Sequence, residues 1–259
     1  MFSPQSDGRS STTATLHAPL LSLVIPTLNE AGNIERMLRA LDRTLRSNGY
    51  DDFELIVVDD NSADGTGRIA DELSAEMPGQ VHVVHRQGKA SLGTAAVEGW
   101  RRARGSILGL MDADFQHPPE LIPRLLDAVQ SGAAIAIGSR YTQGGRTSEE
   151  WSALRKMVSE FATAVTRSLL GKALRNVNDP FSGCFMMRRD VIAGKDLHPE
   201  GFKVLLEVLA VGNYDTVREV PYEFSARKAG ESKLRLGVAV DDFFLLLRLA
   251  WQTRTRRKQ

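Results

Sequence analysis

Two carboxylates one residue apart follow a short apolar run in the middle of the chain. The run covers residues 107–111, and Asp112, Asp114 and Gln116 come directly after it. A short apolar run bounded by polar residues predicts a parallel strand that is buried on both faces. Open α/β sheets bind ligands beyond the carboxyl ends of such strands. Residues 112–117, called the acidic loop below, therefore predict a ligand site.

The oxygen atoms of the acidic loop suit a divalent cation such as Mg²⁺ or Mn²⁺. Pro118 and Pro119 follow and fit the first turn of a helix, where a missing N–H costs little. A helix N-terminus beside carboxylates can hold a cation together with its phosphates. The alternative is that both aspartates serve only as turn and cap residues.

Length and composition restrict the class of protein. The 259 residues are enough for one large domain. The net charge of +1 gives no indication of nucleic-acid binding, and no apolar stretch reaches the length of a membrane helix. Cys184 is the only cysteine, which excludes an intrachain disulfide. Residues 1–19 are rich in Ser, Thr and Pro and are predicted to be a disordered tail.

Strands and helices alternate through the first half of the chain. The hydrophobic pattern predicts strands at residues 20–25, 53–58, 81–84, 107–111 and 134–138. It predicts helices at residues 31–48, 94–104 and 121–131, and a further helix that follows residue 65 and ends near residue 76. This alternation implies parallel strands with right-handed crossovers, in an α/β fold with a Rossmann-like nucleotide-binding half at residues 20–140.

The second half of the chain is less regular. Residues 142–147 are Gly-rich and predicted to be mobile, and residues 179–187 are predicted to be a strand entered through a turn. Residues 216–224 are interpreted as a strand pair or one bent strand. Helices are predicted at residues 149–170, 200–212 and 238–252, and a basic loop at 227–234.

Other polar residues follow predicted strands. Glu30 and Asp60 each follow a parallel strand, where a carboxylate can accept hydrogen bonds from ribose hydroxyls or a base N–H. Arg140 follows the strand at residues 134–138 and could contact a phosphate bidentately, with a surface ion pair as the alternative. Gly183 predicts a close backbone approach, with core packing as its alternative. Cys184 is interpreted as a small core residue.

Five motifs in order make the chain resemble the family 2 glycosyltransferases of GT-A fold. They are Pro26-Thr-Leu-Asn-Glu30, Val57-Val-Asp-Asp60 with Asp64-Gly-Thr66, Met111-Asp-Ala-Asp-Phe-Gln-His-Pro-Pro119, Gly138-Ser-Arg-Tyr141 and Gly230-Glu-Ser-Lys-Leu234. The third and fifth motifs are similar to those of polyprenyl-phosphate mannosyltransferases of the dolichol-phosphate mannose synthase type. The resemblance covers residues 20–244 and implies a central, mostly parallel mixed sheet flanked by helices. Residues 20–140 would bind the nucleotide sugar and residues 141–244 the acceptor.

The resemblance also implies roles for single residues. The nucleotide pocket would be lined by Pro26, Leu28, Glu30, Val58 and Asp60. Asp112 and Ala113 would lie near the sugar and ribose, with Asp114 and Gln116 on the metal. The phosphates of donor or acceptor would be contacted by Arg140, Lys203, Arg227 and Lys233. The predicted catalytic residues are Asp112, Asp114, Arg227 and Lys233. Leu28 stands where many relatives have an aromatic residue, and Ser91 interrupts the usual Gly-rich pattern of residues 88–93.

The reaction implied is inverting transfer of a sugar, with GDP-mannose as the expected donor and a polyprenyl or dolichyl monophosphate as acceptor. No general base is predicted, because the acceptor phosphate is mostly anionic at neutral pH. Two alternatives remain open: transfer from a UDP-sugar such as UDP-glucose, and a subunit that binds nucleotide sugar without turnover.

Because the expected acceptor is a lipid, the protein is predicted to act at the cytoplasmic face of a membrane. It would be held there by the membrane surface or by a membrane-protein partner. Residues 245–259 are predicted to form an amphipathic, basic tail that lies in the headgroup region. The alternative is that residues 243–251 pack on the catalytic domain and leave a frayed basic end.

Overall fold

The computed structural model describes residues 18–88, 91–147, 177–199 and 203–224. The helices predicted at 149–170 and 238–252, the basic loop with Arg227 and Lys233, and the C-terminal tail lie outside the described residues. In the described ranges, no helix is long and apolar enough to cross a membrane.

The strands come in the following order along the described chain. They are β1 (Leu21–Thr27), β2 (Phe53–Asp59), β3 (Val81–His85), β4 (Ile107–Leu110), β5 (Ile135–Ser139), β6 (Arg146–Thr147), β7 (Phe185–Arg188), β8 (Val217–Pro221) and β9 (Glu223–Phe224). The α-helices between them are α1 (Ile34–Ser47), α2 (Thr66–Glu76), α3 (Leu92–Arg102), α4 (Leu121–Gln130) and α5 (Val204–Val211).

Seven of these strands form one sheet in the order β3-β2-β1-β4-β7-β5-β8. Strand β7 runs antiparallel to both β4 and β5, and the other neighbours pair in parallel. Strands β6 and β9 form a separate two-stranded parallel pair. The mostly parallel mixed sheet expected from the resemblance is confirmed.

The sheet is buried on both faces because its strands are apolar at successive positions. In β1, Leu23 and Ile25 pack in one cluster with α1 and α4, while Val24 packs in the other cluster with α3. This two-sided burial explains why β1 and β2 have apolar residues at successive positions, apart from Ser22 and Glu54, which form a buried hydrogen bond with each other. The hydrophobic face of α1, which includes Met37 and Leu41, was correctly predicted from its spacing.

Several predicted segments differ in detail from the structure. Helix α1 begins at Ile34, three residues later than predicted, because residues 31–33 form a turn. Residues 142–147 fold as a turn followed by β6, with the Gly145 N–H donating to Thr142 O at 2.8 Å. Residues 216–224 divide into β8 and β9, which corresponds to the strand-pair interpretation and not to one bent strand.

Candidate active site

The loops that carry the predicted site residues meet at one edge of the sheet. Strands β1, β2, β4 and β5 all end at this edge, and the antiparallel β7 begins there. We call it the binding edge. It gathers the loops after residues 27, 59, 85, 110 and 139 and the segment 177–184 that precedes β7.

The loops after β1 and β2 are joined by hydrogen bonds. The Glu30 backbone N–H donates to Thr66 Oγ1 at 2.8 Å, and the Ala31 N–H donates to Asp64 Oδ2 at 3.0 Å. Asp64 Oδ1 accepts from the Thr66 N–H at 3.0 Å, at the start of α2. Asp64 therefore acts as a turn and cap residue, and the two loops form one preorganised unit.

Asp60 lies at the end of β2 and is engaged by two groups. Its Oδ1 accepts from Arg86 Nη1 at 2.5 Å, and its Oδ2 accepts from the Ser91 backbone N–H at 2.9 Å. Burial raises the pKa of Asp60, although the Ser91 hydrogen bond and the Arg86 charge oppose this effect. Ser91 thus ties the start of α3 to the predicted nucleotide pocket, a role that its departure from the Gly-rich pattern did not indicate.

The acidic loop places its oxygen atoms together directly after β4. Asp114, only 3% exposed, accepts the Gln116 backbone N–H on Oδ1 at 3.0 Å, while Asp112 and Gln116 are half-buried. Phe115 between them has a φ of 61°, and the Arg36 guanidinium lies 5.4 Å from its ring centre.

These residues fit a hard divalent cation by the chemistry of their donors. Asp114 and Gln116 supply oxygen ligands beside the N-terminus of α4, and Mg²⁺ commonly takes one or two carboxylates plus substrate phosphates. Within the described residues, no cluster of three or more His, Cys, Asp or Glu side chains could hold a metal. A cation here would therefore combine Asp114 and Gln116 with ligands from a substrate.

The segment before β7 packs closely against the acidic loop. A Cβ added at Gly183 would lie 2.6 Å from Asp112 Oδ2 and 3.3 Å from His117 Cε1. Gly183 therefore permits the close backbone approach predicted from the sequence. The neighbouring Cys184 is fully buried, and burial raises the pKa of its thiol, as fits a core residue.

His117 is a site residue that sequence reasoning did not single out. It is buried at the end of the acidic loop, with its ring stacked on Tyr222 at 5.2 Å and edge-on to Phe224 at 5.7 Å. Burial lowers the pKa of His117 to about 4, although the negative charge of Asp114 opposes this shift. His117 is therefore a neutral ring that packs beside the acidic loop. The sequence feature that could have identified His117 is its position inside the third motif, residues 111–119.

Arg140 forms a buried ion pair with Asp179. Its Nε and Nη2 donate to Asp179 Oδ2 and Oδ1, each at 2.8 Å, and the side chains are 13% and 1% exposed. Burial alone would lower the pKa of Arg140, but the hydrogen bonds and the charge of Asp179 raise it. The bidentate edge that the sequence suggested for a phosphate is thus occupied by Asp179. Arg140 thus forms the ion pair named as the alternative, but a buried one, and its contact with a phosphate stays a prediction.

The remaining predicted residues are distributed around the same edge. Pro26 and Val58 are paired in register at the ends of β1 and β2, and Leu28 follows, half-buried. The side chains of Val58 and Ala113 are buried, and Val58 lies inside the sheet between β1 and β3. Lys203 precedes α5, with its Nζ 4.5 Å from the ring centre of Phe181.

Comparisons with known proteins identify the family of the chain. The sequence model of the glycosyl transferase family 2 matches residues 22–194. The chain is 44% identical over 215 residues to a dolichol-phosphate mannosyltransferase of Pyrococcus furiosus, covering 83% of this chain and 59% of that protein's length. It is 40% identical over 220 residues to a polyprenol monophosphomannose synthase of Mycolicibacterium smegmatis, covering 82% and 80% of the two chains.

Solved structures support the fold. The glucosyl-3-phosphoglycerate synthase of Mycobacterium tuberculosis superposes with a TM-score of 0.64 at 20% identity, covering 91% of this chain and 80% of that one. At this identity the likeness concerns the fold alone. The family match and the sequence relatives establish that the chain belongs to glycosyl transferase family 2, and within it the chain is similar to dolichol-phosphate and polyprenol-phosphate mannosyltransferases.

Proposed function

We propose that the protein transfers mannose from GDP-mannose to a polyprenyl monophosphate. The observation that carries the proposal is the order of groups along the binding edge. The acidic loop follows β4, which lies two strands from β2 with Asp60 and two strands from β5 with Arg140. At ~4.8 Å per strand, the acidic loop lies about 10 Å from either side. A metal held there would lie between a nucleotide at Asp60 and an acceptor phosphate near Arg140.

The chemistry requires little from a general base. An oxygen of the acceptor phosphate attacks the anomeric carbon, that carbon's bond to the nucleoside diphosphate oxygen breaks, and the configuration inverts. A lipid monophosphate with a second pKa of about 6 is already mostly anionic at neutral pH. His117, with a pKa lowered to about 4, is a weak base beside this site. The protein's task is therefore to position two phosphates and to balance their charge.

A divalent cation, Mg²⁺ or Mn²⁺, belongs to this proposal. When bound, it would act as a Lewis acid that stabilises the leaving diphosphate. Asp114 and Gln116 would hold it from the protein side, and Asp112 would orient the sugar. Lys203 would add positive charge beside the segment 177–184, where its Nζ lies over the ring of Phe181.

The experiment is a donor panel with mass detection of the product. The full chain is incubated with polyprenyl phosphate, Mg²⁺ or Mn²⁺, and GDP-mannose, UDP-glucose or UDP-N-acetylglucosamine in turn. The proposal expects a lipid-phosphate hexose only with GDP-mannose. A product with a UDP-sugar alone would identify the other donor class, and nucleotide binding without any product would indicate a binding subunit.

The acceptor also places the reaction at the cytoplasmic face of a membrane, either at the lipid surface or beside a membrane-protein partner. Flotation with anionic and neutral vesicles, using the full chain and a version that ends at Trp251, tests whether residues 252–259 contribute. Equal flotation of both versions would exclude the basic end of the tail from this role.

A further inference from the structure

The orientation of Arg140 is set by a carboxylate that comes later in the chain. Asp179 accepts from Arg140 Nε and Nη2 at 2.8 Å each, and its Oδ2 also accepts from the Arg140 backbone N–H at 3.1 Å. Three hydrogen bonds from one residue to one carboxylate fix both the guanidinium plane and the backbone that carries it. Asp179 therefore determines where the positive charge lies at the binding edge.

Asp179 is in turn held by Glu219. The backbone N–H groups of Asn178 and Asp179 donate to Glu219 Oε1 at 2.9 and 2.8 Å, and Asn178 Nδ2 donates to Oε2 at 2.6 Å. Glu219 lies in β8, in register with Ile137 of β5. A side chain on a paired strand thus fixes the backbone from which Asp179 extends.

Both ends of this chain of contacts rest on neighbouring strands. Arg140 follows β5 directly, and Glu219 lies in β8, which pairs with β5 in parallel. The segment with Asn178 and Asp179 bridges the two. Because its hydrogen bonds to Glu219 and Arg140 are charge-assisted, they are stronger than ordinary ones and hold this segment in one position.

We propose that Glu219 and Asp179 are positioning residues for Arg140 and thereby set how the acceptor phosphate lies at the binding edge. The identity of that phosphate rests on the proposed function. Asp179 holds the Nε–Nη2 edge, so the guanidinium is fixed in one orientation relative to the acceptor phosphate. The ion pair also offsets the charge of Arg140, so Arg140 orients the phosphate more than it attracts it. Glu219 acts on Arg140 indirectly, through its hydrogen bonds to the backbone of residues 178 and 179 and to the Asn178 side chain.

The kinetic test compares E219Q and D179N with E223Q. Glu223 is an exposed carboxylate in β9, four residues beyond Glu219, and serves as the matched control. Loss of positioning is expected to raise the KM for polyprenyl phosphate roughly tenfold in E219Q and more in D179N. The Kd for GDP, measured by calorimetry, should stay unchanged, because Asp60 lies four strands away in the sheet order. Equal changes in both constants would overturn the proposal.

A spectroscopic test does not depend on activity. The Nε–H resonance of Arg140, assigned with R140K, should exchange slowly with solvent in the native chain because Nε donates to buried Asp179. In E219Q the Arg140 Nε–H should exchange about tenfold faster, because the hydrogen bond to Asp179 opens more often. In E223Q it should exchange at the native rate. If E219Q does not fold, E219D shortens the same carboxylate and takes its place. An unchanged Arg140 resonance in E219Q or E219D would overturn the proposal. Absence of any transfer by the native chain would instead refute the proposed function.

Discussion

Replacing Gly183 by alanine tests whether the segment before β7 positions Asp112. The φ of Gly183 lies outside the left-handed region, so alanine meets no backbone strain there. The whole effect is steric. The added Cβ would lie 2.6 Å from Asp112 Oδ2, whereas ordinary contacts begin at 3.4 Å. The difference is about 0.8 Å, and the Asp112 carboxylate is the group that must move.

The size of the effect follows from this displacement. A catalytic group misplaced by about 1 Å can cost roughly a hundredfold in rate, so G183A should lose one to two orders of magnitude in kcat. Overpacking should also destabilise the fold, by about 1–3 kcal/mol. The affinity for GDP should change little, because Asp60 lies on the other side of the acidic loop in the strand order.

The assay measures transfer of labelled mannose into extractable lipid, together with the melting temperature. G105A is the matched control. A Cβ at Gly105 would lie 2.6 Å from the Ser22 backbone nitrogen, an equally close contact near the start of β1. G105A should therefore lose stability but keep kcat. If G183A kept native kcat, or if G105A lost as much, the positioning argument would be refuted.

Three further predictions follow from the same site and fold. D114N should lose transfer by at least about a hundredfold and no longer respond to Mg²⁺ or Mn²⁺, and full turnover of the native chain in excess chelator would contradict a metal role. K233A should reduce turnover much more than it weakens GDP binding, since the basic loop is predicted to order over phosphates; native turnover would exclude Lys233 from the site. Burial alone would raise the pKa of Glu54, but hydrogen bonds from Ser22 and Arg104 outweigh burial and lower it. E54Q should therefore cost about 2 kcal/mol near neutral pH, because the Glu54 carboxylate accepts charge-assisted hydrogen bonds from Arg104. Unfolding followed against pH should show this difference fully present above the ordinary pKa of a glutamate and lost as the pH falls through the lower folded pKa; a constant difference down to about pH 2 would contradict the linkage.

The first half of the fold could be predicted because local and global signals agree there. Strands β1 and β2 each contain an uninterrupted apolar stretch, at residues 23–26 and 55–58, and α1 carries Met37, Leu38 and Leu41 at helical spacing. The antiparallel direction of β7 left no such signal. An apolar strand buried on both faces has the same composition whether its neighbours are parallel or antiparallel. The family resemblance implied a mixed sheet but did not indicate which strand runs antiparallel.

The site was predicted in part, and the limit has a physical cause. The residues after strand ends could be found, because the carboxyl edge of a parallel sheet is where ligands bind. The ion-pair partner of Arg140 could not be predicted from the sequence. Asp179 is 39 residues further along the chain, and no local pattern connects the two. Long-range pairs of this kind depend on how the segment before β7 packs, which only the folded chain reveals.

Strained backbone in the described ranges is confined to the binding edge. The non-glycine residues with positive φ are Asn29 at 56°, Asn61 at 57° and Phe115 at 61°, in the loops after β1, β2 and β4. Asparagine adopts this conformation readily, so the first two are ordinary turn residues. Phenylalanine does not, and the cost at Phe115 is about 1–2 kcal/mol. An unstrained turn would connect β4 to α4 without that cost. The strain falls between Asp114 and Gln116, whose side chain and backbone are joined by a hydrogen bond, so it maintains the geometry of the two predicted ligands. A bulky residue held in this conformation supports the hypothesis that the loop is shaped for a ligand and does more than connect β4 to α4.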